Sequence, residues 1–138
     1  MKKRLALNSE DAASIISACK ARAAELGRNA TIAVVDDTGA LLHLERSDLN
    51  SPISVEAAHM KARTGFLYAR ATSMLEQRVA ERPSFLAMPD MLPVQGGLPL
   101  ILAGQCIGGV GVGGADKDDE VIASAGLEYI QSLTNRTL

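Results

Sequence analysis

The order of periodic segments predicts an α/β protein of the α+β kind, a single antiparallel sheet with helices packed against it. Three observations carry this prediction. Two stretches read as strand, turn, strand, each with glycine in its turn, so neighbouring strands run antiparallel. Apolar residues at three- and four-residue steps mark helices before, between and after those hairpins. A length of 138 residues suits one domain spanning residues 1–138 and one core.

The first helix carries Ala12, Ile15, Ile16, Cys19, Ala23 and Leu26 on one face, with Asn8 able to cap it and Gly27 able to end it. Thr31 to Val35 is rich in β-branched residues and pairs with Ala40 to Arg46 across Asp36-Asp37-Thr38-Gly39. Ser51-Pro52 places an N-cap before a proline suited to the first helical position, opening a helix to about Phe66. Ser73 and Glu76 have capping-box spacing at the start of a shorter helix that Pro83 stops.

Ser84 to Gly97 is punctuated by proline and glycine and predicts an irregular connection, with at most a short strand near Leu92 to Gln95. Leu98 to Leu102 and Gln105 to Val112 form the second hairpin about Ala103-Gly104. Asp116, Asp118, Asp119 and Glu120 crowd the start of a last helix, where negative side chains complement unpaired N–H groups. Val121, Ile122, Ala125, Ile130 and Leu133 give it an apolar face.

Composition narrows the function classes. A formal charge of −2 offers no cationic surface for a nucleic-acid backbone, and 3% aromatic residues without tryptophan supply few stacking platforms. No apolar run approaches the ~20 residues that cross a bilayer. Met1-Lys2-Lys3-Arg4 resembles a signal-peptide start, but Asn8, Ser9, Glu10 and Asp11 follow after a brief apolar stretch, so a cytoplasmic protein is expected. Cys19 and Cys106 read as buried, reduced thiols.

Gly109, Gly111 and Gly114 satisfy the G-x-G-x-x-G spacing of a dinucleotide loop. That loop needs a second parallel strand after its helix, and only Thr134 to Leu138 follow the last one. Glycine alternating with valine instead lets a backbone, a helix or a ligand lie close on the glycine face, with Gly111 central to it. His43 and His59 are the only histidines and match no ligand spacing, so no metal site is expected. His59 aligns with Val55, Ala62 and Phe66 on its helix, with Glu56 and Lys61 on its flanks; packed residue and ligand contact are both open to it.

Arg46 ends a strand just before the Ser51 helix. It can pair with Asp48, or its planar fork can receive a carboxylate beside the helix N-terminus at Ile53 and Ser54. The glycines of Gln95-Gly96-Gly97 form a second candidate wall, since absent side chains let a ligand approach backbone donors.

Two segments together carry a resemblance over nearly the whole chain, from about Leu5 to Leu133. One is Val34-Val35-Asp36-Asp37-Thr38-Gly39 running into Arg46 and the helix with His59, Lys61 and Arg63. The other is Gln95-Gly96-Gly97-Leu98-Pro99 running into Ile107-Gly108-Gly109-Val110-Gly111-Val112-Gly113-Gly114. They resemble the GlcG/HbpS family, which includes the C-terminal domain of PduO-type proteins. The resemblance implies a profilin-like α/β/α sandwich that binds a small-molecule ligand, haem or a related tetrapyrrole first among them. A homo-oligomer is expected from the Ser51 helix, whose Ile53, Val55, Ala57, Ala58, Met60, Ala62 and Phe66 spread over more than one face. Histidine, methionine, cysteine and tyrosine all hold haem iron in proteins, so His59 and the five methionines, Met1, Met60, Met74, Met88 and Met91, leave the axial ligand open. Two rival functions are compatible with it. As a lyase, isomerase or tautomerase acting on a carboxylate-bearing catabolic intermediate, the chain would hold the carboxylate on Arg46 while His59, Glu56 or Lys61 moves a proton. As an oligomeric accessory protein of a catabolic pathway, it would stabilise a partner enzyme.

Overall fold

The computed structural model describes residues 1–134; residues 135–138, on which part of the argument against a second parallel strand falls, lie outside the described residues. Helix α1 (Ser9–Glu25) leads into strands β1 (Thr31–Val35) and β2 (Leu41–Glu45), then helices α2 (Ile53–Tyr68) and α3 (Thr72–Glu81). A 3-10 turn (Pro83–Ala87) precedes β3 (Gly97–Leu102) and β4 (Gln105–Gly113), and a second one (Asp116–Asp118) precedes α4 (Asp119–Ser132). The strands form one antiparallel sheet in the order β2-β1-β4-β3. Helix α2 covers one face and α1 with α4 the other, which makes an α/β/α sandwich.

Every residue of β1 is buried, as a central strand covered on both faces requires. Ile32 and Val34 point into the main core with Ile15, Ile16, Leu100, Val110, Val112, Ile122 and Ile130. Ala33 and Val35 face Ala58 and Ala62 of α2 in a thinner second layer. That layer is thin because β4 presents glycine to the helix. A Cβ on Gly109 would lie 2.1 Å from the Ala62 carbonyl oxygen, and one on Gly111 would lie 2.1 Å from that of Ala58. Of the three occupants that the glycine face could take, the space over Gly109 and Gly111 holds a helix.

Helix α1 begins with a reciprocal capping box, in which the Asn8 side chain accepts from the Asp11 N–H at 2.8 Å and the Asn8 N–H donates to Asp11 at 3.0 Å. The second hairpin turns through Ala103 and Gly104, both at positive φ (51° and 75°), the conformation that keeps a two-residue turn in step with strand twist.

Three local expectations are not met. Helix α2 starts without a side-chain cap; Ser51 contributes its carbonyl, which accepts from the Ser54 N–H at 3.0 Å. Helix α3 also lacks the predicted box, because Ser73 donates to Glu120 at 2.5 Å and Glu76 accepts from the Gln95 N–H at 3.4 Å. Leu26 and Val121 are 43% and 47% exposed, so neither joins the apolar faces expected of them. Over Leu92 to Gln95 the connection stays irregular, within the expectation of at most a short strand, and extended pairing begins at Gly97. Among the described residues no helix is long and apolar enough to cross a membrane.

Candidate functional site

Strand β2 ends at Glu45, and the chain then turns away from the sheet at Arg46. There it borders a cleft of about 390 Å³ between the C-terminal half of α1 and the ends of β1 and β2. The floor includes Ala23, Ala24, Ala30 and Ile32, and the rim carries Lys20, Arg28 and Arg46 with Glu45 and Asp48. Two of the cations are occupied. Lys20 pairs with Glu45 at 3.0 Å, and Arg28 pairs with Asp118 at 2.8 Å. Among the described residues no ion pair or hydrogen bond engages Arg46, and of its two alternatives the pairing with Asp48 is not formed. An exposed guanidinium over an apolar floor is a receiver for a carboxylate on an otherwise apolar body.

The register of the sheet puts His43 on the same strand face as Glu45 of this cleft, outside the cleft's own lining. His43 pairs with Val34 and Glu45 with Ile32, so both sit on the strand face that looks toward α1, one alternation apart. His43 is half-buried. The sequence reading left it outside the site; the two-residue step from His43 to Glu45 was the signal that could have included it.

The other expected site residues lie elsewhere. Glu56 and His59 stand on α2, across the sheet from α1, exposed and half-buried respectively. Lys61 turns inward from the same helix and is 6% exposed at its side chain. Its ammonium donates to Asp119 at 2.9 Å and to the Val112 carbonyl at 3.0 Å, while the other Asp119 oxygen accepts from the Ala115 N–H at 2.8 Å. Burial pushes the Asp119 carboxyl above its ordinary value of 3.8, and Lys61 pulls it part of the way back. Within one chain, then, none of Glu56, His59 and Lys61 lines the cleft that Arg46 borders.

The Gln95-Gly96-Gly97 wall belongs to this buried polar cluster. A side chain on Gly96 (φ 125°) would meet the Val112 carbonyl at 2.7 Å and the Lys61 ammonium at 3.0 Å, so glycine leaves room for the ion pair. Gln95 spans the start of the last helix, accepting from the Glu120 N–H at 3.0 Å and donating to the Asp116 carbonyl at 2.7 Å. Gly97 donates to the buried Thr72 hydroxyl at 2.8 Å. At the mouth of α2, the Ser54 N–H is committed to Ser51, which leaves less of the helix N-terminus open to an anion than the sequence suggests.

Among the described residues no group of three or more His, Cys, Asp or Glu side chains could hold a metal ion. Both cysteines are free thiols. Burial pushes Cys19 up to about 12 and also raises Cys106, so neither is poised as a thiolate.

Known proteins share both the sequence and the architecture. Residues 7–128 match the family described as haem degrading protein HbpS-like. Protein GlcG of Escherichia coli strain K12 is 38% identical over 113 residues, which cover 81% of this chain and 84% of GlcG. A double mutant of Streptomyces reticuli HbpS has a crystal structure that superposes with a TM-score of 0.85 at 32% identity, over 94% of this chain and 90% of that one. The crystal structure of a PduOC:heme complex gives a TM-score of 0.80 at 26% identity, over 91% of this chain and 96% of that one. With a family match over most of its length and a shared α/β/α sandwich, the chain belongs to the haem-degrading HbpS-like family.

Proposed function

We propose that this protein is a ligand-binding domain that receives haem, or a related tetrapyrrole, by its carboxylates at the Arg46 cleft. The observation that carries the proposal is the unpaired Arg46 guanidinium on the rim of a cleft floored by Ala23, Ala24, Ala30 and Ile32. A propionate-bearing macrocycle combines the same two chemistries, anionic arms and an apolar body. The family description and the PduOC:heme relative favour haem over other amphiphilic acids. The residues fit an edge-held ligand. Arg46 suits a carboxylate arm, with Lys20 and Arg28 paired beside it, while about 390 Å³ without an aromatic wall is too little to enclose the ring.

Haem, when bound, would supply an iron centre that a protein side chain can hold. His43, on the strand face it shares with Glu45, is the imidazole that would hold it in this reading; His59 lies on the helix across the sheet. That same separation of His59, Glu56 and Lys61 from Arg46 favours binding over the lyase, isomerase or tautomerase reading.

An absorbance titration of the apoprotein with haemin tests this. Arg46→Met keeps the aliphatic stem, so it is expected to weaken haemin about tenfold or more at an unchanged Tm, with Arg46→Lys recovering part of the loss. Equal affinity in all three proteins would remove the cleft from the site. His43→Ala is expected to shift the Soret band and His59→Ala to leave it; the reverse pattern would move the ligand to α2. A wild-type protein indifferent to haemin, yet stabilised by small carboxylates, would overturn the haem reading.

A further inference from the structure

On the far side of the molecule, the end of α2, the outer face of α3 and the following 3-10 turn enclose a second, smaller cleft of about 220 Å³. Its lining is Tyr68, Arg70, Met74, Leu75, Arg78 and Phe85. The chain has four aromatic residues in all, two Phe and two Tyr, so half of them meet here. No carboxylate lines the cleft, and among the described residues neither Arg70 nor Arg78 takes part in an ion pair.

The parts are held in place from several directions. Arg78 lies over the Phe85 ring with 5.7 Å from its guanidinium carbon to the ring centroid. The Tyr68 hydroxyl donates to the Pro89 carbonyl, which ties the end of α2 to the segment after the 3-10 turn. Between Tyr68 and Arg70, Ala69 adopts a left-handed conformation (φ 50°), unusual for a residue with a Cβ, and its carbonyl accepts from Arg70 at 3.1 Å. Leu75 closes the floor at 5% exposure.

We propose that this cleft is a binding site for a small, flat carboxylate, distinct from the cleft at Arg46. Two unpaired guanidinium forks meet the planar two-oxygen head. The faces of Phe85 and Tyr68 and the thioether of Met74 take the flat apolar body. The volume lies below that of pockets that enclose drug-sized ligands, which selects a one-ring acid and rejects a tetrapyrrole. Arg78 then answers to two partners, the Phe85 ring when the cleft is empty and the carboxylate edge when it is filled.

Sodium benzoate is the probe, titrated into the full chain and followed by backbone amide NMR shifts, with benzamide, inorganic phosphate and the Arg46→Met protein in parallel. Saturable binding is expected, with shifts centred on Arg78 and Phe85. Arg78→Met should raise the benzoate Kd about tenfold or more, as loss of a charge-assisted contact does, and Phe85→Leu should raise it less. Benzamide, isosteric but neutral, should bind at least about tenfold more weakly. Arg46→Met should leave the benzoate Kd within about twofold, which separates this site from the haem cleft. Should Arg78→Met fail to fold, Arg70→Met carries the same expectation. Absence of saturation by about 10 mM, an unaltered Kd in the arginine variants, phosphate binding as tightly as benzoate, or loss of binding in Arg46→Met would each overturn the proposal.

Discussion

Gly111 and Cys19 show how much a single position depends on what lies across from it. A side chain at Gly111 would strike backbone atoms of α2, the Ala58 carbonyl and the Ala62 N–H, which cannot rotate aside. Gly111→Val is therefore expected to cost at least the upper end of the ~1–3 kcal/mol typical of overpacking. Gly104→Ala, at positive φ but with open space around it, should cost only about 1 kcal/mol. Urea denaturation of the pair checks the contrast; similar losses would mean that conformation, not contact, is what glycine supplies. Cys19 is fully buried and its thiol is pushed from an ordinary 9.0 up to about 12. A group whose acid dissociation is suppressed in the fold binds its proton more tightly there than in the unfolded chain. Its contribution to stability is present below pH 9.0 and is lost as pH rises from 9.0 toward 12. Native protein at pH 8 should accordingly yield at most one thiol, the half-buried Cys106, to a disulfide reagent, and both after denaturation.

Helix α2 has a second face that the sheet does not use. Ser54, Ala58, Lys61, Ala62 and Gly65 turn inward, while Ile53, Met60 and Leu67 stand 69%, 45% and 42% exposed at seven-residue intervals. Such spacing draws one apolar stripe along a helix. Glu56 and Arg63 flank Met60 on either side, so an antiparallel second copy centred there would bring Glu56 of one toward Arg63 of the other. Self-association is the expected outcome, measured by sedimentation at micromolar concentration, and Met60→Glu should shift it toward the monomer. A compact wild-type monomer would leave the stripe without this role.

The two helical layers are joined at one end of the sheet by the Lys61–Asp119 pair. Lys61 belongs to α2 and Asp119 begins α4, and they meet between Gly96 and the end of β4 at 2.9 Å, both nearly excluded from solvent. Removing one member strands the other charge in the interior. Lys61→Met is thus expected to cost about 3–5 kcal/mol, whereas adding Asp119→Asn to it should restore most of the loss. Because burial raises the Asp119 carboxyl, its ionisation opposes folding: stability tied to that group declines as pH rises from 3.8 through its value in the fold. A double variant no more stable than Lys61→Met in urea titrations would show that packing, and not the charge pair, holds the layers together.

Local pattern was enough for most of the architecture. The apolar spacing of Ala12, Ile15, Ile16, Cys19 and Ala23, the β-branched run Thr31 to Val35 and the Ala103-Gly104 turn each act over a few residues, and each element forms where its pattern places it. The alternation of glycine and valine from Gly109 to Gly113 also announced a close approach, though not that α2 would be what approaches. Contacts between distant segments went unread. Lys61 read as a flank of His59 and a candidate to move a proton, whereas the fold brings Asp119, 58 positions away, against it. Arg46 appeared to belong with the start of α2, yet it borders a cleft lined by α1; and only the pairing of β2 with β1 puts His43 on the strand face of Glu45. Periodicity encodes which way a side chain faces within its own element. What it meets there depends on how the elements cross, and that follows from the packing of the whole core.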